Sequence, residues 1–351
     1  MSKLSFVENK HPNAARIAAL LERSALANFW ANRGPVYQRL AQSYADYIHR
    51  PRGTAIVPLA NGGIALEAMA RRHAVKAGRR LRWVASAYSF QNLGRGYFAD
   101  VHFLDCDSQG LLDIEALNAL DPDSYDGIIL TNPFGLFAAS LTPYANFANA
   151  LGKALIVDNA SGLHSQIANI RWQALSLHHT KPFGMGEGGL ALVPENEAEA
   201  LYDLVNYTPE TAMPGHWLQN GKLSDISAAY LLDRLEQLVD WGPRYLAQRQ
   251  RVIDIAADCG LTPLAMPETD IPMTSMPFLA PSPIPLEAIE RTRHLTYAKY
   301  YRPLAGLPEV TRLFAHLVNI PCHGDVAKLS DDQIAGDMLI CTERRIQAVA
   351  S

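Results

Sequence analysis

Cysteine is scarce and scattered. The four residues, Cys106, Cys259, Cys322 and Cys341, form no CxxC pair, so their spacing offers neither a zinc site nor a disulfide framework, and they read as reduced, packed thiols. Long basic runs are missing as well. With a formal net charge of -4, no stretch of lysine and arginine is long enough to track phosphates along a nucleic acid. No segment approaches the ~18 uncharged apolar residues of a membrane-crossing helix. The opening MSKLSFVENKHPNAARIAALLERS lacks the long apolar core of a secretory leader. Internal repeats and low-complexity segments are also missing. These absences point to a cytoplasmic protein with no nucleic-acid, membrane or metal partner.

What the chain does have is the balance of an ordinary folded enzyme, 48% hydrophobic and 19% charged residues over 351 positions, enough for a large domain and a smaller one. Short apolar runs rich in Val and Ile alternate with helix-length amphipathic stretches, the grammar of an α/β fold. The spacing predicts strands over Ala55 to Ala60, Arg82 to Ala87, Val101 to Cys106, Gly127 to Asn132, Ala154 to Asn159 and Gly189 to Pro194. Runs so continuously apolar belong inside a covered, mostly parallel sheet. A helix is expected from Gly62 to Gly78, opening on two glycines, and a long helical connector from Leu223 with a break at Gly242-Pro243, where proline cannot donate its backbone bond. Beyond Leu261 a proline-rich stretch, a helical stretch from Leu286 and an amphipathic segment after Leu329 suit a small α+β lobe.

The stretch SLHHTKPFGMGEGGLALV places Lys181 ahead of four closely spaced glycines. A nucleotide-binding loop has its lysine after the glycines and at the start of a helix, so the order here is wrong for it; the dinucleotide fingerprint fails because a strand follows. A lone lysine in a partly desolvated pocket can form an imine with an aldehyde, and pyridoxal phosphate is the common aldehyde partner. That cofactor needs an acid at its ring nitrogen, donors for its phosphate and a flat surface on its ring. Asp158 ends an apolar strand where such sheets present ligands, although a strand-end aspartate taken alone more often caps a turn. NGGIALEAM offers Gly62 and Gly63 at a helix N-terminus, where free N–H groups attract an anion. Ser176 adds a hydroxyl, and Tyr88 and Phe90 offer aromatic rings, each as readily structural when considered singly.

Taken together, these segments resemble the DegT/DnrJ/EryC1/StrS family of sugar aminotransferases, a branch of the fold-type I aminotransferases. The resemblance runs through ANRGPVYQRLAQSYADYI, NGGIALEAM, SAYSFQN, VDNAS, SLHHTKPFGMGEGG, QNGKLSDISAAYLLDRLEQL, YYRPLAG and NIPCHGDVAKLSDDQI. It implies a large cofactor domain over residues 1–240, built on a mostly parallel seven-stranded sheet covered by helices, and a small C-terminal α+β domain over 241–351. It makes Lys181 the Schiff-base lysine, Asp158 the partner of the pyridinium nitrogen, Phe90 the ring-stacking aromatic and Ser176 a phosphate ligand beside Gly62 and Gly63. Asn220 matches the asparagine that reaches across a homodimer to the neighbouring subunit's cofactor.

The chain also departs from the family pattern. Gly63 replaces a threonine of the phosphate turn, Lys222 replaces an arginine, and Ser161 stands where a longer glutamine or histidine packs on the cofactor, leaving His164 as a substitute. Tyr88, His164, His178, His179, Tyr301 and the loop Tyr207 to His216 are candidates for substrate contact. The activity implied is transfer of an amino group from an amino acid, glutamate or glutamine, to a keto sugar carried on a nucleotide. Two rivals stay open: a dehydratase-like relative using the same cofactor, in which the lysine is typically histidine, and a non-catalytic sensor or scaffold.

Overall fold

The computed structural model describes residues 3–207 and 215–342. Its centre is a seven-stranded sheet of β1 (Thr54–Leu59), β2 (Trp83–Ser86), β3 (His102–Leu104), β4 (Gly127–Thr131), β5 (Ala154–Asp158), β6 (Gln173–Ser176) and β7 (Gly189–Pro194), in the order β1-β7-β6-β5-β4-β2-β3. β7 runs antiparallel to both neighbours and the other four pairings are parallel. All six expected strands are present. The seventh, β6, escapes the sequence pattern because its QALS brackets only two apolar residues between Gln173 and Ser176 and so forms no continuous apolar run.

Strand side chains alternate between two faces, and here both faces are covered. Ile128, Leu130, Leu155 and Val157 pack on one side, while Ile129 and Ile156 pack on the other beneath the helix Gly62–Ala77. That double burial explains why the runs are apolar throughout rather than alternating. Fully burying each such side chain is worth roughly 1.5–3 kcal/mol relative to exposure. On the β7 side, Leu190 and Leu192 meet the helices Ala14–Ala27, Pro35–Tyr47 and Asp225–Glu236.

The break in the long helical connector falls at Gln237, between the helices Asp225–Glu236 and Leu238–Asp258, rather than at Gly242-Pro243. Pro243 lies in the second turn of the later helix, where the missing N–H removes a single bond near an end and the helix continues. That helix leads to a second, three-stranded antiparallel sheet of β8 (Thr262–Pro263), β9 (Ser275–Leu279) and β10 (Leu317–Pro321). Its Phe278, Val318 and Ile320 share one core with Ile128 and Val157 of the large sheet. The last helix among the described residues, Asp331–Cys341, opens on a capping box between Ser330 and Gln333.

All four cysteines are buried and free. Among the described residues, no group of His, Cys, Asp and Glu is arranged to hold a metal ion, and no helix is long and apolar enough to cross a membrane.

Candidate active site

The site forms where β1, β5 and β6 end, the edge at which α/β sheets present their loops to ligands. Asn61 caps the helix Gly62–Ala77, its side chain accepting from Ile64 N at 2.9 Å. This leaves the first N–H groups of a 16-residue helix directed outward. A methyl group added at Gly62 would lie 3.1 Å from Ser176 Cβ and 3.2 Å from the Leu175 carbonyl. The glycine turn and the Ser176 hydroxyl therefore border one small cradle.

Past β6 the chain folds tightly back on itself. Lys181 N donates to the His178 carbonyl (2.8 Å), Gly184 N to the Lys181 carbonyl (3.0 Å) and His179 N to the Gly186 carbonyl (2.9 Å). The glycines are there for close approach. A Cβ on Gly184 would fall 1.8 Å from the His178 carbonyl oxygen, and one on Gly189 would fall 2.4 Å from Gly62 N. The second contact seats the start of β7 directly against the glycine turn.

From this loop Lys181 Nζ reaches Ser161 Oγ at 2.8 Å. Asp158, at the end of β5 and only 7% exposed, accepts one weak bond from Ala160 N at 3.3 Å. The two charges act on each other through a dry environment. Burial pushes the Lys181 amine below its usual range while Asp158 opposes that shift; burial raises the Asp158 carboxyl while Lys181 opposes it. Tyr301 is held above the ordinary phenol range by burial first and the nearby Asp158 second.

Lys181 and Ser161 open onto a cavity of about 590 Å³, whose wall also includes Phe6, Phe90, Phe134, His178, Tyr300 and Tyr301. Phe134 stacks on Tyr301 with ring centroids 5.0 Å apart. Phe90 is 47% exposed and presents its ring to this space. Burial lowers His178 from the usual histidine range, and the cationic groups of His179, Lys181 and Lys10 lower it further.

Not every candidate residue reaches the cavity. Tyr88 is fully buried and its phenol donates to the Tyr300 carbonyl at 3.0 Å; it shapes the wall from behind. His164 is buried, with Nδ1 accepting from Gln166 N at 3.0 Å, and lies outside the cavity wall. It does not stand in for the short side chain of Ser161. His179 is exposed and turned away, with its ring against His178. Gly63 and Asn220 are exposed, Asn220 following Gln219 beside the link from Ala60 N to the Gly221 carbonyl at 2.8 Å. Within the loop Tyr207 to His216, positions 208–214 lie outside the described residues.

Two contributors carry no sequence signal. Phe6, Val7 and Lys10 come from a segment more than 150 residues before Lys181, and only folding shows that they meet its loop. Phe134 follows a proline in NPFG with φ of 56°, a rare left-handed phenylalanine.

Residues 13–285 match the model of the DegT/DnrJ/EryC1/StrS aminotransferase family, and the chain belongs to that family. Protein Rv3402c of Mycobacterium tuberculosis and Protein Mb3436c of Mycobacterium bovis are each 30% identical to it over 277 residues. Those matches cover 72% of this chain and 64% of each relative, so the chain spans less than two thirds of their length. The fold is also shared with solved aminotransferase and sugar-enzyme structures. Helicobacter pylori PseC, an aminotransferase involved in the biosynthesis of pseudoaminic acid, superimposes with a TM-score of 0.79 at 15% identity, covering 97% of this chain and 100% of that one. DesI, solved in the presence of its TDP-sugar product, gives a TM-score of 0.79 at 18% identity, covering 95% and 91%. A DegT DnrJ EryC1 StrS aminotransferase from Brucella abortus gives 0.76 at 20%, covering 92% and 94%.

Proposed function

We propose that the protein is a pyridoxal-phosphate-dependent aminotransferase that moves an amino group from glutamate or glutamine to a keto sugar linked to a nucleotide. The observation that carries this reading is the desolvated Lys181 amine, hydrogen-bonded to Ser161 and electrostatically paired with buried Asp158, at the wall of a cavity. The residues fit the cofactor. Asp158 has acceptor capacity left for a ring N–H, Phe90 and Tyr301 offer flat faces, and the cradle at Gly62 and Ser176 offers donors to a phosphate.

When bound, pyridoxal phosphate supplies an aldehyde for the lysine and a conjugated ring that accepts electrons from a substrate carbon. Burial makes the neutral Lys181 amine accessible, so it can take a proton from the donor's α-carbon and later return one to the acceptor's former carbonyl carbon. Asp158 would hold the positive ring nitrogen. Ser161 fixes the Lys181 amine between those steps, and the apolar rings around the cavity keep water from it. The donor leaves as its 2-keto acid and the sugar leaves as an amine.

We also propose that the working form is a homodimer. The glycine turn is incompletely covered, with Asn61, Gly63 and Asn220 exposed, and apolar side chains stand at the surface nearby on Phe29, Trp30, Trp217, Ile226 and Tyr230. A second copy would cover them and bring its own Asn220 to the phosphate cradle.

The test is to incubate the purified protein with pyridoxal phosphate, glutamate or glutamine, and a panel of nucleotide-linked keto sugars, and to search for aminated products by mass. Amination of at least one sugar is expected. Cofactor binding without amination of any would overturn the sugar assignment.

A further inference from the structure

Lys10 lies 171 residues before Lys181, yet its Nζ donates to three main-chain carbonyls of the lysine loop: His179 at 2.6 Å, Lys181 at 2.5 Å and Gly184 at 2.6 Å. An ammonium has three donors and no acceptor, so these three carbonyls use its full capacity. The segment that delivers it is fixed at several points. Leu4 N donates to the His294 carbonyl at 2.7 Å, Asn9 N donates to Asp325 at 2.8 Å, and Glu8 accepts from Arg234 at 2.7 Å and from the Tyr245 hydroxyl at 3.0 Å. Arg234 holds the same loop from a second side through the Pro182 carbonyl, at 2.8 Å.

We propose that Lys10 is a positioning residue for Lys181: its ammonium gathers the loop's carbonyls into one fixed arrangement, and so sets the place from which the Lys181 side chain reaches Ser161. The inference rests on Lys181 being the cofactor-bearing residue. The clamp itself can be tested without any cofactor.

Loss of the proton weakens the clamp for a simple reason. A neutral amine has only two N–H donors and turns a lone pair toward the third carbonyl, where two acceptors face each other. Burial and the positive charge of Arg234 push Lys10 down to about 7, with Glu8 opposing. The clamp is therefore closed on the acid side of that value and loosens as pH rises through it. Other charged groups around the site are Lys181, His178 and His179 on the loop, Arg234 and Asp233 on the helix Asp225–Glu236, and His323 and Asp325 after β10. Of these, His178 and His323 are lowered from the usual histidine range, chiefly by burial, so a variant that keeps a permanent charge at position 10 is needed to separate them from Lys10.

The experiment is hydrogen exchange of the cofactor-free full chain as wild type, Lys10→Met and Lys10→Arg, read at the amides of His179, Lys181 and Gly184. The reactivity of Lys181 toward an acylating reagent is followed by mass spectrometry in parallel. Lys299, which holds the Ile284 and Ala315 carbonyls elsewhere, reports global loosening. Lys10→Met should speed exchange of the three amides about tenfold or more, the loss of at least one charge-assisted hydrogen bond, and should change Lys181 reactivity while Lys299 stays as in wild type. Lys10→Arg should recover most of the protection. In wild type, protection corrected for intrinsic rates should fall as pH rises through about 7, and in Lys10→Arg it should not. Unchanged loop exchange in Lys10→Met, or an increase shared equally with Lys299, would overturn the proposal. If Lys10→Met does not fold, the wild-type pH series decides: protection that is flat across neutral pH also overturns it. Failure of cofactor binding alone would instead count against the role given to Lys181.

Discussion

Lys181 Nζ stands 2.8 Å from Ser161 Oγ, a bond between loops that leave neighbouring strands of one sheet. The serine oxygen accepts, which favours the charged lysine, and Asp158 favours it too, while burial favours the neutral amine. Removing either support should lower the Lys181 pKa further. The pH at which the cofactor-free protein becomes half reactive at Lys181 should fall in both Ser161→Ala and Asp158→Asn. Peptide mass spectrometry after pulsed acylation measures that midpoint, and a rise in either variant would contradict the electrostatic picture.

Asp158→Asn should separate cofactor capture from turnover. The amide nearly matches the carboxylate in shape, so Lys181 should still capture the cofactor, but the ring nitrogen loses its acidic partner. Turnover should fall about hundredfold or more, the lower end of what a positioned proton-handling group supplies. Steady-state rates alongside a visible spectrum check this; near-normal turnover would remove Asp158 from the chemistry.

The sheet was legible because the inner strands β2, β4, β5 and β7 are buried on both faces, which writes continuous apolar runs into the sequence. β6 was not, since polar Gln173 and Ser176 leave only two apolar residues between them. Lys181 and Asp158 were legible from their order along the chain and from family likeness. Tyr88 and His164 sit close to the right places in sequence, but the backbone turns their side chains into the core. Such one-residue choices of direction are set by packing, which spacing does not encode. Lys10 and Phe134 depend on contacts across more than 150 residues, and nothing local marks them.

The glycines after Lys181 invite a direct stability test. A Cβ on Gly189 would meet Asn61 C at 2.3 Å and Gly62 N at 2.4 Å, both backbone atoms that cannot swing aside. Gly189→Ala should therefore cost about 1–3 kcal/mol, the usual range for overpacking, and should weaken phosphate binding at the same turn. Gly186 is a useful comparison because nothing lies near its Cβ position, although its φ of 79° still strains an alanine. Denaturant melts of Gly189→Ala measure the cost; wild-type stability would mean that the close approach of β7 to the turn is not required.

If two copies share sites, inactive variants should complement each other. Asn220→Ala should weaken cofactor affinity while leaving the Lys181 loop intact. Hybrids of Asn220→Ala with Lys181→Ala would contain one site with both native residues. Mixed and re-equilibrated samples should then show more activity than the sum of the two parents; strict additivity would argue against an exchanged asparagine.

The most direct measurement is the visible spectrum of the purified chain titrated with pyridoxal phosphate, followed by reduction with borohydride and peptide mass mapping. The wild type is expected to gain an absorbance band that moves with pH, and to carry the reduced cofactor on Lys181 and no other lysine. Lys181→Ala should show neither. Cofactor fixed elsewhere, or no band in the wild type, would contradict the account at its centre.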